Sequence, residues 1–278
     1  GWAQEPFSQI EMPLDDETVR QAALESDIAI IIIGRSAGED RDTSTEKGSF
    51  LLSDEEENEI SIVTKYFSRT AVLLNVGNII DMKWVDEYRP GAVMYVWQGG
   101  QEGGNGVADV LTGAVNPSGH LADTIAGDIA DYPSTENFGD PDRNFYTEDV
   151  YVGYRYFETF ARDKVLYPFG FGLSYTGFEM EPVGFDAPGK EIRVRVKVTN
   201  TGDTAGKQAV QIYVKPPQGR IAKPFRNLVS FGKTNVLDPA ESQTLTFVFP
   251  VEDMASFDDT GATGGTSSFV LEPGCYKV

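Results

Sequence analysis

The sequence predicts a three-layer α/β sandwich with a mainly parallel sheet over residues 1–178, followed by an all-β sandwich over residues 179–278. Three observations predict it. Apolar strand segments alternate with helical segments in the first region, a strict period-two pattern dominates the second, and the two styles meet near Phe178. Alternation of strands and helices implies parallel strands covered by helices on both faces. Short strands separated by Gly/Asn/Pro turns imply an antiparallel sandwich.

In chain order, Asp15 to Leu24 reads as an amphipathic helix and Ile28 to Ile33 as a buried strand. Ser53 is placed to N-cap a helix running to about Tyr66, and Asp54 to Glu57 put acids in its first turn, where the helix dipole favours them. Ala71 to Asn75 and Ala92 to Trp97 are further buried strands, and Gly103 to Thr112 has the pattern of a helix packed behind them. Beyond Phe178, Ile192 to Val198 alternates apolar with basic residues, as a half-buried strand does. A turn over Thr199–Gly202 leads to a strand over Gln208–Val214, and Thr244–Phe249 and Ser267–Leu271 supply others. Thr260 to Ser268, rich in Gly, Thr and Ser, is expected to be an exposed, mobile loop.

With 278 residues, 40% hydrophobic and 24% charged, the chain can fill two cores. No uninterrupted apolar run approaches the roughly 20 residues that a membrane helix needs. Gly1-Trp-Ala-Gln-Glu5 has neither a basic leader nor an apolar signal core, which favours a cytoplasmic setting over export. The net charge of −20 repels phosphate backbones and anionic lipid, so nucleic-acid and membrane partners are not expected; a neutral ligand is not penalised. A single cysteine, Cys275, rules out an internal disulfide, and with the single histidine, His120, it cannot build the usual zinc cages. No cofactor and no metal site are expected, although a carboxylate calcium site, without EF-hand-like spacing behind it, stays open.

The strand Ile28–Ile33 empties into Gly34-Arg-Ser-Ala-Gly-Glu-Asp-Arg-Asp42, a loop with three carboxylates, two arginines and two glycines. Ligands of parallel α/β sheets collect beyond the carboxyl ends of the strands. Carboxylates there suit a sugar, accepting hydrogen bonds from hydroxyls while one carboxyl exchanges protons. Alone, the loop reads more readily as a solvated segment with internal Arg–Asp pairs.

Further blocks follow in order. They are Lys47-Gly-Ser-Phe-Leu-Leu-Ser-Asp54, Leu73-Leu-Asn-Val-Gly77 and Trp97-Gln-Gly-Gly-Gln-Glu-Gly-Gly104. After Asn116-Pro-Ser-Gly119 come Asp149-Val-Tyr-Val-Gly-Tyr-Arg-Tyr156 and Pro168-Phe-Gly-Phe-Gly-Leu-Ser-Tyr-Thr176. Over nearly its whole length the chain resembles glycoside hydrolase family 3, in its α/β-sandwich domain and the fibronectin-III/immunoglobulin-like domain that follows. The resemblance implies a retaining exo-β-glycosidase, most often a β-glucosidase acting on a small β-glucoside or oligosaccharide. It also implies a partner, a (β/α)8 barrel domain or chain that carries the nucleophilic aspartate. The family's acid/base glutamate falls on Glu39, with Asp40 and Arg41 beside it as substrate-binding residues. Here Ala37-Gly-Glu-Asp-Arg41 lacks the Gly-Tyr often found between the glutamate and Asp-Arg.

The acid must stay protonated at working pH. Asp40 and Asp42 would raise its pKa; Arg35 and Arg41 would lower it. Glu46 is the reserve candidate, with a surface role beside Lys47 preferred, and Glu148 is read as orienting the Tyr151–Tyr156 block. Trp97 with Gln98 and Gln101 could meet a sugar, although the glycines around them more simply let a helix start close to the sheet. Trp84 is expected in the core, His120 outside the chemistry, and Cys275 as a small apolar residue of a final strand. The family's earlier strand and Gly/Ser-rich loop are not found, and the wording of the blocks is most similar to members in which these domains precede the barrel. Two alternatives stay open: a non-catalytic carbohydrate-binding or scaffolding module, and a β-xylosidase-type member. The fibronectin-like region is expected to serve packing, with Lys223 and Arg226 as exposed bases to test by oligosaccharide pull-down.

Overall fold

The computed structural model describes residues 10–36, 42–140 and 142–278. It forms two compact units, Gly1–Leu111 with Ile125–Thr135 and Thr112–Thr124 with Glu136–Val278. Among the described residues no helix is long and apolar enough to cross a membrane.

In chain order the first unit contains α1 (Asp16–Glu25), β1 (Ala29–Gly34), α2 (Asp54–Tyr66), β2 (Thr70–Asn75), α3 (Trp84–Tyr88), β3 (Ala92–Tyr95), α4 (Gly103–Leu111) and β4 (Ile125–Ala126). Both long helices begin on side-chain caps. Asp15 accepts from the Thr18 N–H at 2.7 Å, and Ser53 and Glu56 form a reciprocal capping box that satisfies two orphan donors of α2. β1, β2 and β3 form a parallel sheet in that order, with Ile31 opposite Val72 and Ile33 opposite Leu74. These four residues fill one face, where Ile60 and Val63 of α2 are also buried. The opposite face is different. Ile30 and Ile32 are 52% and 58% exposed, and α4 has no fully buried residue.

The second unit contains α5 (Tyr154–Phe160), β5 (Val165–Tyr167), β6 (Phe178–Asp186), β7 (Glu191–Asn200), β8 (Ala209–Val214), β9 (Asn227–Lys233), β10 (Ser242–Pro250), β11 (Ser256–Asp258) and β12 (Ser268–Val270). An antiparallel sheet β10-β7-β6 and an antiparallel pair β8-β9 supply one core, in which Ile192, Val194, Val196 and Val198 meet Val210, Ile212, Val214, Phe247 and Phe249. The expected turn after β7 closes on the buried Asn200. Its Nδ2 donates to the carbonyls of Thr204 (2.9 Å) and Leu237 (2.8 Å), and its Oδ1 accepts from the Thr176 hydroxyl at 2.7 Å.

Two expectations about this unit are corrected. Lys223 is not an exposed base: it is 2% exposed, donates to the Pro217 carbonyl at 3.1 Å and pairs with Glu272, which also accepts from the Arg220 N–H at 2.7 Å. The Gly/Thr-rich segment after β11 is largely exposed, as expected, and it turns on local hydrogen bonds. The buried Asp258 carboxylate gathers the N–H groups of Gly261 (2.8 Å) and Thr263 (2.8 Å) and the hydroxyls of Thr260 and Thr263, so the segment wraps around one anion. Cys275 lies outside the strands and is exposed.

Candidate functional site

The carboxyl ends of β1, β2 and β3 bring together the residues that follow them. The ladder runs one step past the strands, with the Arg35 N–H donating to Asn75 O at 3.1 Å and the Val96 N–H to Leu74 O at 3.0 Å. The catalytic candidate Glu39 and the substrate-binding candidates Asp40 and Arg41 lie outside the described residues. What the structure describes is the two ends of the loop that carries them.

On the strand side the anchor is Arg35. Its guanidinium is buried and makes a two-pronged pair with Glu56, through Nη2 to Oε2 at 2.6 Å and Nη1 to Oε1. The same group donates to the carbonyls of Gly34 (2.8 Å) and Ser49 (3.2 Å). Arg35 therefore joins the end of β1, the segment ahead of α2 and the first turn of α2. A planar guanidinium suits this because its donors have a fixed fork geometry. Arg35 thus has Glu56 as its counter-ion at contact distance, while the expected influence of Arg35 on Glu39 concerns a residue outside the described ones. Glu56 was legible only as a first-turn acid. Its position three residues after the Ser53 cap was the available signal for a second role.

On the far side, Thr43 Oγ1 accepts from Asn78 Nδ2 at 3.2 Å, the Ser44 N–H donates to Ser49 Oγ at 2.9 Å, and the Phe50 N–H to Ser44 O at 3.2 Å. Glu46 is exposed with its N–H on Ser44 Oγ at 3.3 Å, and Lys47 pairs with Asp54 and, at 3.1 Å, with Glu57. Asp81 docks against this segment through its N–H to Phe50 O at 2.8 Å. Burial raises its carboxyl above the ordinary 3.8, opposed by Lys83, whose Nζ stands 3.8 Å away. Trp84 is in the core as expected, its indole N–H donating to Asp81 O at 2.8 Å.

Beyond β3, Trp97 adopts φ +53°, a region that a bulky residue rarely enters, and its ring tilts against Tyr95 with centroids 4.8 Å apart. The glycines after it serve close packing. A Cβ at Gly99 would stand 2.8 Å from Gly103 Cα, so only glycine permits this entry into α4.

The second unit has its own concavity, a cavity of about 440 Å³ lined by Tyr154, Glu158, Arg162, Phe169, Phe225 and Arg226 among others. Its charged groups are engaged internally. Arg226 pairs with Glu158 and lies over Tyr213 at 4.4 Å, and Arg162 lies over Phe225 at 3.9 Å. Tyr154 accepts from the Leu228 N–H at 2.8 Å, and the Glu148 carbonyl accepts from the Tyr151 N–H at 2.8 Å. Burial pushes the Tyr213 phenol up to about 12. His120 donates through Nδ1 to the Gly170 carbonyl at 2.9 Å. Among the described residues no group of three or more His, Cys, Asp or Glu is placed to hold a metal ion.

The model for the glycosyl hydrolase family 3 C-terminal domain matches residues 3–175, and that for the fibronectin type III-like domain matches residues 208–278. The chain belongs to glycosyl hydrolase family 3. Its parallel α/β region followed by an antiparallel fibronectin-type region is the architecture expected from the sequence. A family 3 relative, a β-glucosidase of Ruminococcus albus, is 52% identical over 276 residues, which are 99% of this chain and 29% of that protein. Another, β-glucosidase A of Butyrivibrio fibrisolvens, is 40% identical over 96% of this chain and 37% of its own length. The solved structure of a β-glucosidase from Paenibacillus barengoltzii matches with a TM-score of 0.96 at 53% identity, covering 99% of this chain and 31% of that one. β-Glucosidase 3B of Thermotoga neapolitana in complex with glucose matches with a TM-score of 0.84 at 41% identity, over 89% of this chain and 36% of that one. This family 3 chain thus spans 29–37% of the length of these relatives.

Proposed function

We propose that this chain is the acid/base-bearing part of a retaining exo-β-glycosidase of β-glucosidase type, which hydrolyses terminal non-reducing β-linked glucose. Glu39 is its general acid/base. The nucleophilic aspartate belongs to a (β/α)8 barrel domain or chain of the same enzyme, outside these residues. The observation that carries the reading is the match of 99% of the chain, at 52–53% identity, to two proteins named as β-glucosidases.

The chemistry needs two carboxyl groups. One protonates the departing oxygen and the other, about 5–5.5 Å away, attacks the anomeric carbon. A proton donor on a loop must be held to a fraction of an ångström. The anchors on either side of residues 37–41 support such a role: Arg35 is tied to Glu56 on one side, and Thr43 and Ser44 to Asn78 and Ser49 on the other. Asp40 and Arg41 contact sugar hydroxyls. In this reading residues 1–178 carry the chemistry and residues 179–278 serve packing.

The test is Glu39→Gln in the complete enzyme. Turnover of glycosides with poor leaving groups falls by about 10²–10⁴, activated aryl glycosides fall far less, and azide restores part of the rate. Equal activity of variant and wild type on poor leaving groups would remove Glu39 from the mechanism.

A further inference from the structure

We propose that the cavity between α5 and the start of β9 binds a small organic acid, a carboxylate carried on a six-membered ring. Its volume, about 440 Å³, lies within the roughly 300–1,000 Å³ usual for small-ligand sites. Tyr154, Phe157, Phe169 and Phe225 supply aromatic walls, and Arg162 and Arg226 supply cations. Phe225 is fixed by its N–H, which donates to Thr159 Oγ1 at 2.9 Å.

Charge around the Phe225 ring is out of balance. The Arg162 guanidinium lies 3.9 Å from the ring centroid and the Lys215 ammonium, at the end of β8, lies 4.0 Å from the same centroid. Arg226 follows directly in sequence. Glu158 pairs with Arg226 and stands 3.5 Å from Arg162, and Lys215 has no carboxylate partner among the described residues. Three cations thus face one anion, in a chain with 43 acidic and 23 basic residues. A local surplus of positive charge is the reverse of the field that a net charge of −20 sets up elsewhere.

The donors are also incompletely used. Arg162 donates through Nε to the Glu158 carbonyl at 2.7 Å, and more than half of its side chain stays open to solvent. Arg226 makes one hydrogen bond, from Nη2 to Glu158, and its buried Nε has no partner. Buried polar groups are nearly always hydrogen-bonded, and an exception calls for a reason. Two guanidinium forks that share one carboxylate have N–H groups left for a second, and a carboxylate fits such a fork through two parallel bonds. An anion here also offsets the repulsion between Arg162 and Lys215.

The walls call for a ring. Inorganic phosphate would meet the cations and leave the aromatic faces uncovered, whereas a ring lays apolar surface against them. Aromatic acids and uronic acids share this chemistry. The inference adds a ligand to a region otherwise given to packing. It is indifferent to whether Glu39 acts as the acid, so the Glu39→Gln result and the result below fail independently.

The experiment is calorimetric titration of the complete polypeptide with 4-hydroxybenzoate, glucuronate, the methyl ester of each and inorganic phosphate. At least one acid binds about tenfold or more tightly than its own ester, and Arg162→Gln removes that advantage. Arg226→Gln removes it too, and Arg162, more exposed, keeps the test usable if the Arg226 variant does not fold. The acid with the larger advantage identifies the source, aromatic or uronic. Phosphate binding as tightly as either acid overturns the requirement for a ring. Acid and ester binding alike, or an advantage that survives Arg162→Gln, overturns the site.

Discussion

β1 and β7 bury alternate residues in the same rhythm, yet their other faces are made of opposite chemistry. On β7 the inward residues are Ile192, Val194, Val196 and Val198, and the outward ones are Arg193, Arg195 and Lys197. Those bases pair across the sheet surface, Arg195 with Asp186 at 3.2 Å and Lys197 with Glu181 at 3.7 Å. On β1 the inward residues are Ile31 and Ile33, and the outward ones are again isoleucines. Burial alone does not distinguish a solvent face from an interface. Side-chain chemistry does, because leaving a large aliphatic side chain in water forgoes about 1.5–3 kcal/mol.

The sharpest way to break this comparison is to exchange the outward residues in the complete polypeptide. Where the rest of the polypeptide covers the outer face of β1, Ile32→Arg should cost several kcal/mol, because the charge would be trapped unpaired. Arg195→Ile, at a half-exposed position, should change stability by less than about 1 kcal/mol. Denaturant midpoints of the two variants check both. A tolerated Ile32→Arg would make the outer face of β1 an ordinary surface.

The next effect contrasts the two buried ion pairs. Glu56→Gln leaves the Arg35 guanidinium buried without a counter-ion and should cost about 3–5 kcal/mol in equilibrium unfolding. Lys223→Met should cost less, because Glu272 keeps the N–H of Arg220 as a donor and the packed stem of the side chain is preserved. Equal losses would mean that the guanidinium fork has no advantage over a single ammonium.

The smallest effect is in the pH dependence, where the two units have opposite signs. In the second unit the hydrogen bonds from Thr263 hold Asp258 far below its ordinary 3.8, and the Lys223 pairing holds Glu272 below 4.5. Both stabilise the fold above those ordinary values, and the contribution is lost as pH falls through the lower folded-state values. In the first unit burial raises Asp81 above 3.8 and Glu59 above 4.5, so their ionised forms oppose folding. That penalty is relieved as pH falls through the raised values. Unfolding midpoints from pH 7 to 2 should show Asp258→Asn less stable than wild type near neutrality, with the gap closing in acid. For Asp81→Asn the pH dependence should run the other way.

Much of this architecture was legible because its signals are local. Ser53 announced the start of α2, and the Arg/Val alternation of residues 192–198 announced β7 with its inward face. The candidate loop was legible as the charged segment after an apolar strand and by its resemblance to family 3. Other features were not legible, because they depend on which distant groups meet. A lysine in a Pro- and Gly-rich loop reads as surface until Glu272, 49 residues away, is seen to take its charge. The turn that Asp258 builds from the N–H groups of Gly261 and Thr263 is different: it lies within five residues of chain, and the missed signal was the tendency of an aspartate to accept from the N–H groups just after it.

By itself the sequence determined where α1, α2, β1, β2 and β7 lie, which face of β7 is apolar, and the family whose ordered motifs the chain carries, since each is written within a few residues of chain. Only the tertiary structure decided that Arg35 and Glu56 neutralise each other, that Lys223 is buried, and that Ile30 and Ile32 stand uncovered. Pairing and exposure depend on how segments far apart in sequence pack, and the stretch Ile28–Ile33 is equally apolar whichever side of it meets water.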